Sequence, residues 1–266
     1  MSEALAEAKS VVDFFKDKGL DASSGSLDDE TLRRRVKNGN FDVLVALGGD
    51  GTMLRAAHLC APYRLPILGI NLGRLGFLLQ VEHKDCKKML GQLLEGKGWI
   101  ENRMMLRVEL LRGGESKSIS YALNEAAVSR GQYLRPIHIA VNVDGRLLTT
   151  YVSDGLLAST PTGSTAYALA AGGPILPPEL RNILIVPVAP HLSVDRAVVL
   201  SEGASVSILI QSDNSILSVD GQEPINLIED DHVDVRTAEY TTQFVRFGDP
   251  SYFYRNLTAH IHQNSI

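Results

Sequence analysis

The chain has 266 residues, 44% of them hydrophobic and 21% charged, which suits one large or two modest globular domains and excludes intrinsic disorder. A formal net charge of −5 without a basic stripe excludes the usual nucleic-acid binder, so an anionic ligand would need a local field from a few Arg side chains and backbone N–H groups. No apolar run approaches the roughly 20 residues of a membrane span. The N-terminus MSEALAEAKS lacks the apolar core of a signal peptide, and Cys60 and Cys86 have neither C-x-x-C nor metal-ligand spacing. These features predict a cytoplasmic protein that binds neither membrane nor nucleic acid.

From the N-terminus, Leu5, Ala8, Val12 and Phe15 recur at helical spacing over residues 3–18, and Gly19 ends that helix. Residues 28–38 read as a second, polar helix, so the basic run Arg33-Arg34-Arg35 is a solvated face. Residues 41–47 (FDVLVAL) form a buried strand of the parallel-sheet kind, running into Gly48-Gly49-Asp50-Gly51 and then a helix from Thr52. A second apolar strand, 66–70, leads into the loop Asn71-Leu72-Gly73-Arg74-Leu75-Gly76, and residues 83–95 are helical. This alternation predicts an α/β domain with a parallel sheet over residues 1–100, joined by the tail 249–266. Beyond residue 100 a period of two takes over, as in Ile137, Ile139, Val141 and Val143, followed by an Asp144-Gly145 hairpin turn. Residues 101–248 are therefore expected to form a β-rich, sandwich-like domain with one helix starting near Ser164.

Four segments carry candidate chemistry. Glycines between strand and helix at 48–51 let a ligand approach the backbone, and the helix N-terminus that follows attracts anions. The loop is neither a Walker A nor a G-x-G-x-x-G fingerprint. Its acid, Asp50, is unfavourable beside a phosphate unless it binds a metal or takes a proton from an attacking hydroxyl; the plainer reading is a helix cap. The second segment, 71–77, follows the next apolar strand and should reach the same sheet edge, although taken by itself a plain βα connection with spaced glycines is the better reading. The third is Asn124-Glu125 within an apolar strand, where two polar groups need partners unless the strand is an edge. The fourth runs from Asp154-Gly155 through Thr160-Pro161-Thr162-Gly163-Ser164-Thr165-Ala166-Tyr167 to Gly173, with small residues that would let a flat ring approach. Tight helix-on-sheet packing would explain the Ala and Gly there but not Asp154 or the Ser/Thr cluster. A serine hydrolase is disfavoured, because Gly163-Ser164-Thr165-Ala166 lacks the last glycine of G-x-S-x-G.

In this order, and with Asp220-Gly221-Gln222, these segments resemble the NAD kinase family over residues 41 to about 248. The resemblance implies an α/β domain followed by a β-rich one, and homodimers or homotetramers. It implies transfer of a phosphoryl group from ATP, or from polyphosphate, to the 2′-hydroxyl of the adenosine ribose of NAD, with a divalent cation such as Mg²⁺. Asp50 would accept the hydroxyl proton, Gly51 would give the phosphates room, and Arg55 would bind phosphate. Phe77, Asn124 and Glu125 would contact nucleotide, Glu125 through a ribose diol. Asp154, Thr165, Ala166, Tyr167, Ala168, Leu169 and Ala170 would hold the adenine, Thr162 would contact nucleotide, Arg135 would reach the dinucleotide, and Gln222 would bind it.

Two features depart from the family pattern. The family opens with a strand before its first helix, whereas this chain begins inside what reads as that helix, so the sheet is expected to lack a strand or be built differently. Val152 also stands where many members carry a basic residue two positions before the aspartate. Two other classes remain as alternatives. A lipid kinase of the diacylglycerol type shares Gly-Gly-Asp-Gly but should show a membrane-binding amphipathic segment. A non-catalytic dinucleotide-binding protein would not need Asp50.

Overall fold

The computed structural model describes residues 2–73, 76–132, 135–191, 194–254 and 257. Two compact units emerge: one from the N-terminus to Asn102 together with the segment from Thr242 onward, the other Arg103–Thr241.

In the first unit, helix α1 (Ser2–Asp17) buries Val11 and Phe15 and stops where Gly19 turns left-handed at φ +76°. Helix α2 (Glu30–Lys37) is capped by the Asp29 carboxylate, which accepts the N–H groups of Thr31 and Leu32. Strand β1 (Leu44–Gly48) leads into α3 (Asp50–Cys60), β2 (Ile67–Asn71), the short β3 (Val81–Glu82) and α4 (Cys86–Leu94). β1 and β3 both pair with β2 in parallel, and all five residues of β2 are buried, as befits a strand covered on both faces. Leu68, Ile70, Val81, Leu90, Val245 and Phe247 share a core with the two buried helix residues. Both cysteines are buried and burial pushes their thiols up to about 12, which makes them packing residues rather than nucleophiles. Because Gly48 lies opposite Asn71 at the ends of parallel β1 and β2, the loops that follow leave the sheet at the same edge.

The long strand β4 (Trp99–Arg112) carries the chain into the second unit. There follow β5 (Glu115–Ala122), β6 (Glu125–Arg130), β7 (Ile137–Val143), β8 (Arg146–Ser153), β9 (Gly155–Ser159), the single-turn α5 (Tyr167–Ala170), β10 (Asn182–Val188), β11 (Val198–Ser201), β12 (Val206–Ile210), β13 (Ser215–Val219) and β14 (Ile225–Leu227). β15 (His232–Arg246) pairs antiparallel with β12 over Val233 and Val235, and its last residues return to the first unit, where Phe244 lies opposite Ile67 of β2 in parallel. One sheet of the second unit has the order β11-β10-β9-β6-β13-β14; opposite it, β7 joins β12 to β8, and β4 pairs with β5 and β15. Inward residues from both layers, among them Leu106, Val128, Ile139, Leu156, Ile185, Ile208 and Leu217, form one core, which makes this unit the expected two-layer β structure. The β7–β8 turn has positive φ at Asp144 (+50°) and Gly145 (+75°), as an Asp-Gly hairpin requires.

Two local expectations need correction. The helix expected from Ser164 is a 3-10 turn, Gly163–Thr165, then Ala166 at φ −103°, ψ −126°, then the four residues of α5. α5 ends at once because Gly172 turns left-handed and its N–H and that of Gly173 bond back to Leu169 and Ala168, a closed C-terminal motif. Asn124-Glu125 likewise does not lie inside one continuous strand: β5 ends at Ala122, Leu123 and Asn124 bend, and Glu125 opens β6. No helix among the described residues is long and apolar enough to cross a membrane.

Candidate functional site

The first unit supplies Asp50 at the start of α3, with Gly49 as the N-cap. The carboxylate reaches past its own helix to the loop after β2, where it accepts the N–H of Phe77 at 2.9 Å and of Leu78 at 3.2 Å. Gly76 makes this docking possible, because a Cβ there would strike the Asp50 carboxylate. Asn71 shapes the start of the loop, with Oδ1 accepting the Gly73 N–H and Nδ2 donating to the Gly73 carbonyl. Arg74 and Leu75, quoted in the 71–77 motif, lie outside the described residues. Phe77 is half-buried and Gly51 exposed. Arg55 is exposed and stands 3.8 Å from Asp28, also exposed, so this contact holds it only loosely.

The second unit supplies the Asn124-Glu125 turn, held through its backbone. Asp220, at φ +49° after β13, accepts the N–H groups of Leu123, Asn124 and Glu125 at 2.7, 2.8 and 3.0 Å. From the other side, the Asn124 carbonyl accepts the Thr160 N–H at 2.8 Å and the Ser159 hydroxyl at 3.0 Å, and the Thr160 hydroxyl donates to the Leu123 carbonyl. Gly163 lies so close that a Cβ would strike the Asn124 carbonyl. The break in strand structure at 123–124 follows from these bonds: the Leu123 and Asn124 amides, turned toward one carboxylate, cannot also serve a sheet ladder.

Glu125 is buried, at 8% exposure, and accepts the Tyr167 N–H, while its Oε2 has no hydrogen-bond partner among the described residues. Burial, and secondarily the nearby Asp220 charge, pushes its carboxyl up to about 7. A buried carboxylate oxygen without a donor is the kind of group a ligand hydroxyl satisfies.

The other predicted positions divide by exposure. Thr162 is buried, accepting from Arg103 Nη1 at 3.1 Å and, through its carbonyl, from the Thr165 hydroxyl. Asp154 pairs with Arg130 of β6 at 3.1 Å, so its cationic partner comes from the neighbouring strand rather than from position 152. The Ala168 side chain packs with Leu157, Leu184 and Val186 and belongs to the core. Tyr167 is 44% exposed; Ala166 and Leu169 are half-buried; Ala170, Arg135 and Gln222 are exposed. Sequence reasoning assigned no role to Asp220, Ser159, Gly76 or Gly163; the Asp-Gly step after a strand at 220–221 was the available signal for the first.

Comparison with known proteins shows the family of the chain. Residues 3–98 match the model of the ATP-NAD kinase N-terminal domain, and residues 123–247 that of the ATP-NAD kinase C-terminal domain. The NAD kinase of Chloroflexus aurantiacus is 42% identical over 224 residues, 84% of this chain and 81% of that protein. That of Heliobacterium modesticaldum is 41% identical over 224 residues, 84% and 78% of the two chains. Among solved structures, yeast NADH kinase complexed with NADH superposes with a TM-score of 0.79 at 31% identity, covering 85% of this chain and 67% of that one. An NAD kinase from Archaeoglobus fulgidus in complex with ATP gives 0.77 at 27% identity, covering 96% and 94%.

Proposed function

The chain belongs to the NAD kinase family of phosphotransferases, and from that premise we propose that it phosphorylates the 2′-hydroxyl of the adenosine ribose of NAD with ATP, giving NADP. The observation that carries this reading is Asp50, held by two backbone amides at the head of α3. A ribose hydroxyl is a weak nucleophile and needs a positioned base. The two amide bonds orient the Asp50 carboxylate at the head of α3. As the hydroxyl oxygen bonds to the terminal phosphorus, the bond to the bridging oxygen breaks, ADP leaves, and the proton passes to Asp50.

The groups of the second unit bind NAD. Glu125 Oε2 takes a ribose hydroxyl, which supplies the donor this buried oxygen lacks among the described residues. Asn124, Asp154, Thr162 and Thr165 provide further polar contacts, and the Tyr167 ring lies against the adenine beside the backbone of 166–170. Gly51, Arg55, Phe77, Arg135 and Gln222 complete the nucleotide contacts. The yeast relative's complex with NADH and the archaeal relative's with ATP support these two ligand classes. Among the described residues no group of three or more His, Cys, Asp or Glu is arranged to hold a metal. Mg²⁺ would arrive on the ATP phosphates, where it keeps much of its water. The protein acts as a cytoplasmic homodimer or homotetramer in this reading, and polyphosphate is a second possible donor.

The test is direct: incubate the protein with NAD, Mg²⁺ and either ATP or polyphosphate, then read NADP with a strictly NADP-dependent dehydrogenase. NADP should accumulate with time and require both NAD and the phosphoryl donor. No NADP with either donor would overturn the assignment.

A further inference from the structure

Three residues given no role above form a buried charged cluster in the first unit. Arg246, the last residue of β15, is 2% exposed; Glu101 of β4 and Tyr252 are each 7% exposed. Arg246 Nε donates to Glu101 Oε2 at 2.7 Å, and Arg246 Nη1 donates to the Leu78 carbonyl at 2.9 Å. The Tyr252 hydroxyl donates to the same carboxylate at 3.1 and 3.2 Å. Arg246 Nη2 has no hydrogen bond among the described residues, and the guanidinium lies 5.0 and 5.1 Å from the ring centres of Phe244 and Tyr252, whose faces partly replace water.

Stability alone does not account for this cluster, because well-packed apolar residues generally serve a core as well as a buried ion pair does. What apolar side chains could not do is grip a backbone carbonyl. The carbonyl gripped is that of Leu78, whose N–H is one of the two that hold Asp50, so one residue is bonded to Asp50 on one side and to Arg246 on the other. Two residues on, the Gln80 side-chain amide donates to the Phe247 carbonyl at 2.8 Å and accepts the Phe247 N–H at 3.0 Å. Side chains thus tie the segment 76–80 to the end of β15 at two points, which fixes how its peptides face α3.

We propose that Arg246, held by Glu101 and Tyr252, is a positioning residue for phosphoryl transfer: it sets the Leu78 peptide and, through it, the aim of the Asp50 carboxylate. This rests on Asp50 being the proton acceptor. Arg246→Lys keeps the charge but loses the planar fork that serves Glu101 and Leu78 together. Arg246→Met with Glu101→Gln removes both charges and leaves neither ion buried alone.

The experiment measures kcat, KM for NAD and ATP, melting temperature and amide hydrogen exchange at Phe77 and Leu78 in both variants, in Tyr252→Phe and in Asp50→Asn. In folded Arg246→Lys and Arg246→Met/Glu101→Gln proteins kcat should fall about 10- to 100-fold, the scale set by small misplacement of a catalytic group. KM should stay within about threefold, since the loss falls on the chemical step, and exchange at the two amides should quicken. Wild-type kcat in either folded protein overturns the proposal, as does a loss of kcat with unchanged exchange. Should neither fold, Tyr252→Phe decides on the same readouts, with a drop of about threefold expected from losing one hydroxyl contact and wild-type values overturning the idea. Near-normal turnover by Asp50→Asn overturns both the base and the clamp, whereas an inactive Asp50→Asn beside fully active clamp variants overturns the clamp alone.

Discussion

Asp50 of the first unit and Glu125 of the second are both carboxylates beside strand ends, but their surroundings are opposite. Asp50 is met by two backbone amides from a distant loop, whereas Glu125 is buried with one amide bond and an oxygen that has no partner among the described residues. Asp220 resembles Asp50 in this respect, with three amides on its carboxylate. Acids that gather amides fix the backbone around them, and an acid buried without enough donors is prepared for a ligand that brings one. The chemical role proposed for each follows: Asp50 needs a fixed aim, and Glu125 needs something to bind.

The sharpest way to break the comparison is Asp50→Asn, which keeps the shape but removes the proton acceptor. Turnover should fall about 10²- to 10⁴-fold, while NAD binding by calorimetry stays near wild type; near-normal turnover would end the base assignment. Next in size is Gly76→Ala, whose Cβ would displace the Asp50 carboxylate from its amides. Steady-state assays should show a loss of about 10²-fold in kcat in a protein that still melts cooperatively.

Glu125→Gln tests the other side. Losing a charged acceptor should weaken NAD binding by about 1.5–3 kcal/mol, read as a roughly 10- to 100-fold rise in Kd. It should also change the pH dependence of stability. Burial raises the folded-state carboxyl from 4.5 to about 7, so between those values the folded protein binds more protons than the unfolded chain. The contribution of Glu125 to stability should therefore be highest below about 4.5, fall as pH rises to about 7, and level off above; urea titrations of Glu125→Gln should lose this component of the slope. The smallest effect is expected from Arg130→Met, which removes a partly exposed ion pair with Asp154 and should shift unfolding by no more than about 1 kcal/mol. A larger shift would mean that Arg130 fixes the turn at 154 as Asp220 fixes the one at 124.

Much of the architecture was legible because it is written in short-range pattern. The buried strand before Gly48, the helix after it, and the Asp144-Gly145 hairpin each depend on residues within a few positions of one another. Two misreadings occurred where local pattern and tertiary demand disagreed. The run 164–171 is rich in small helix-compatible residues, yet it forms only short turns, because Ala166 leaves helical geometry and Gly172-Gly173 close the end. Residues 121–128 look like one apolar strand, yet Asp220, about a hundred positions along the chain, takes the amides that strand would have used. The assignments of Arg135, Gln222 and the 166–170 backbone came from family resemblance, and no short-range rule would have chosen them.

By itself the sequence determined the alternation of strand and helix in the first unit, the period-two strands of the second, and the order of motifs that marks the family. These depend on side-chain periodicity and turn chemistry, which act between near neighbours. Tertiary structure alone decided that Asp50 faces the amides of Phe77 and Leu78, that Asp220 holds the Asn124-Glu125 turn, and that Glu125 is buried with an oxygen that has no partner among the described residues. Hydrogen bonds between groups tens of residues apart form only after the sheets have brought their ends together, and no local pattern records which donor will meet which acceptor.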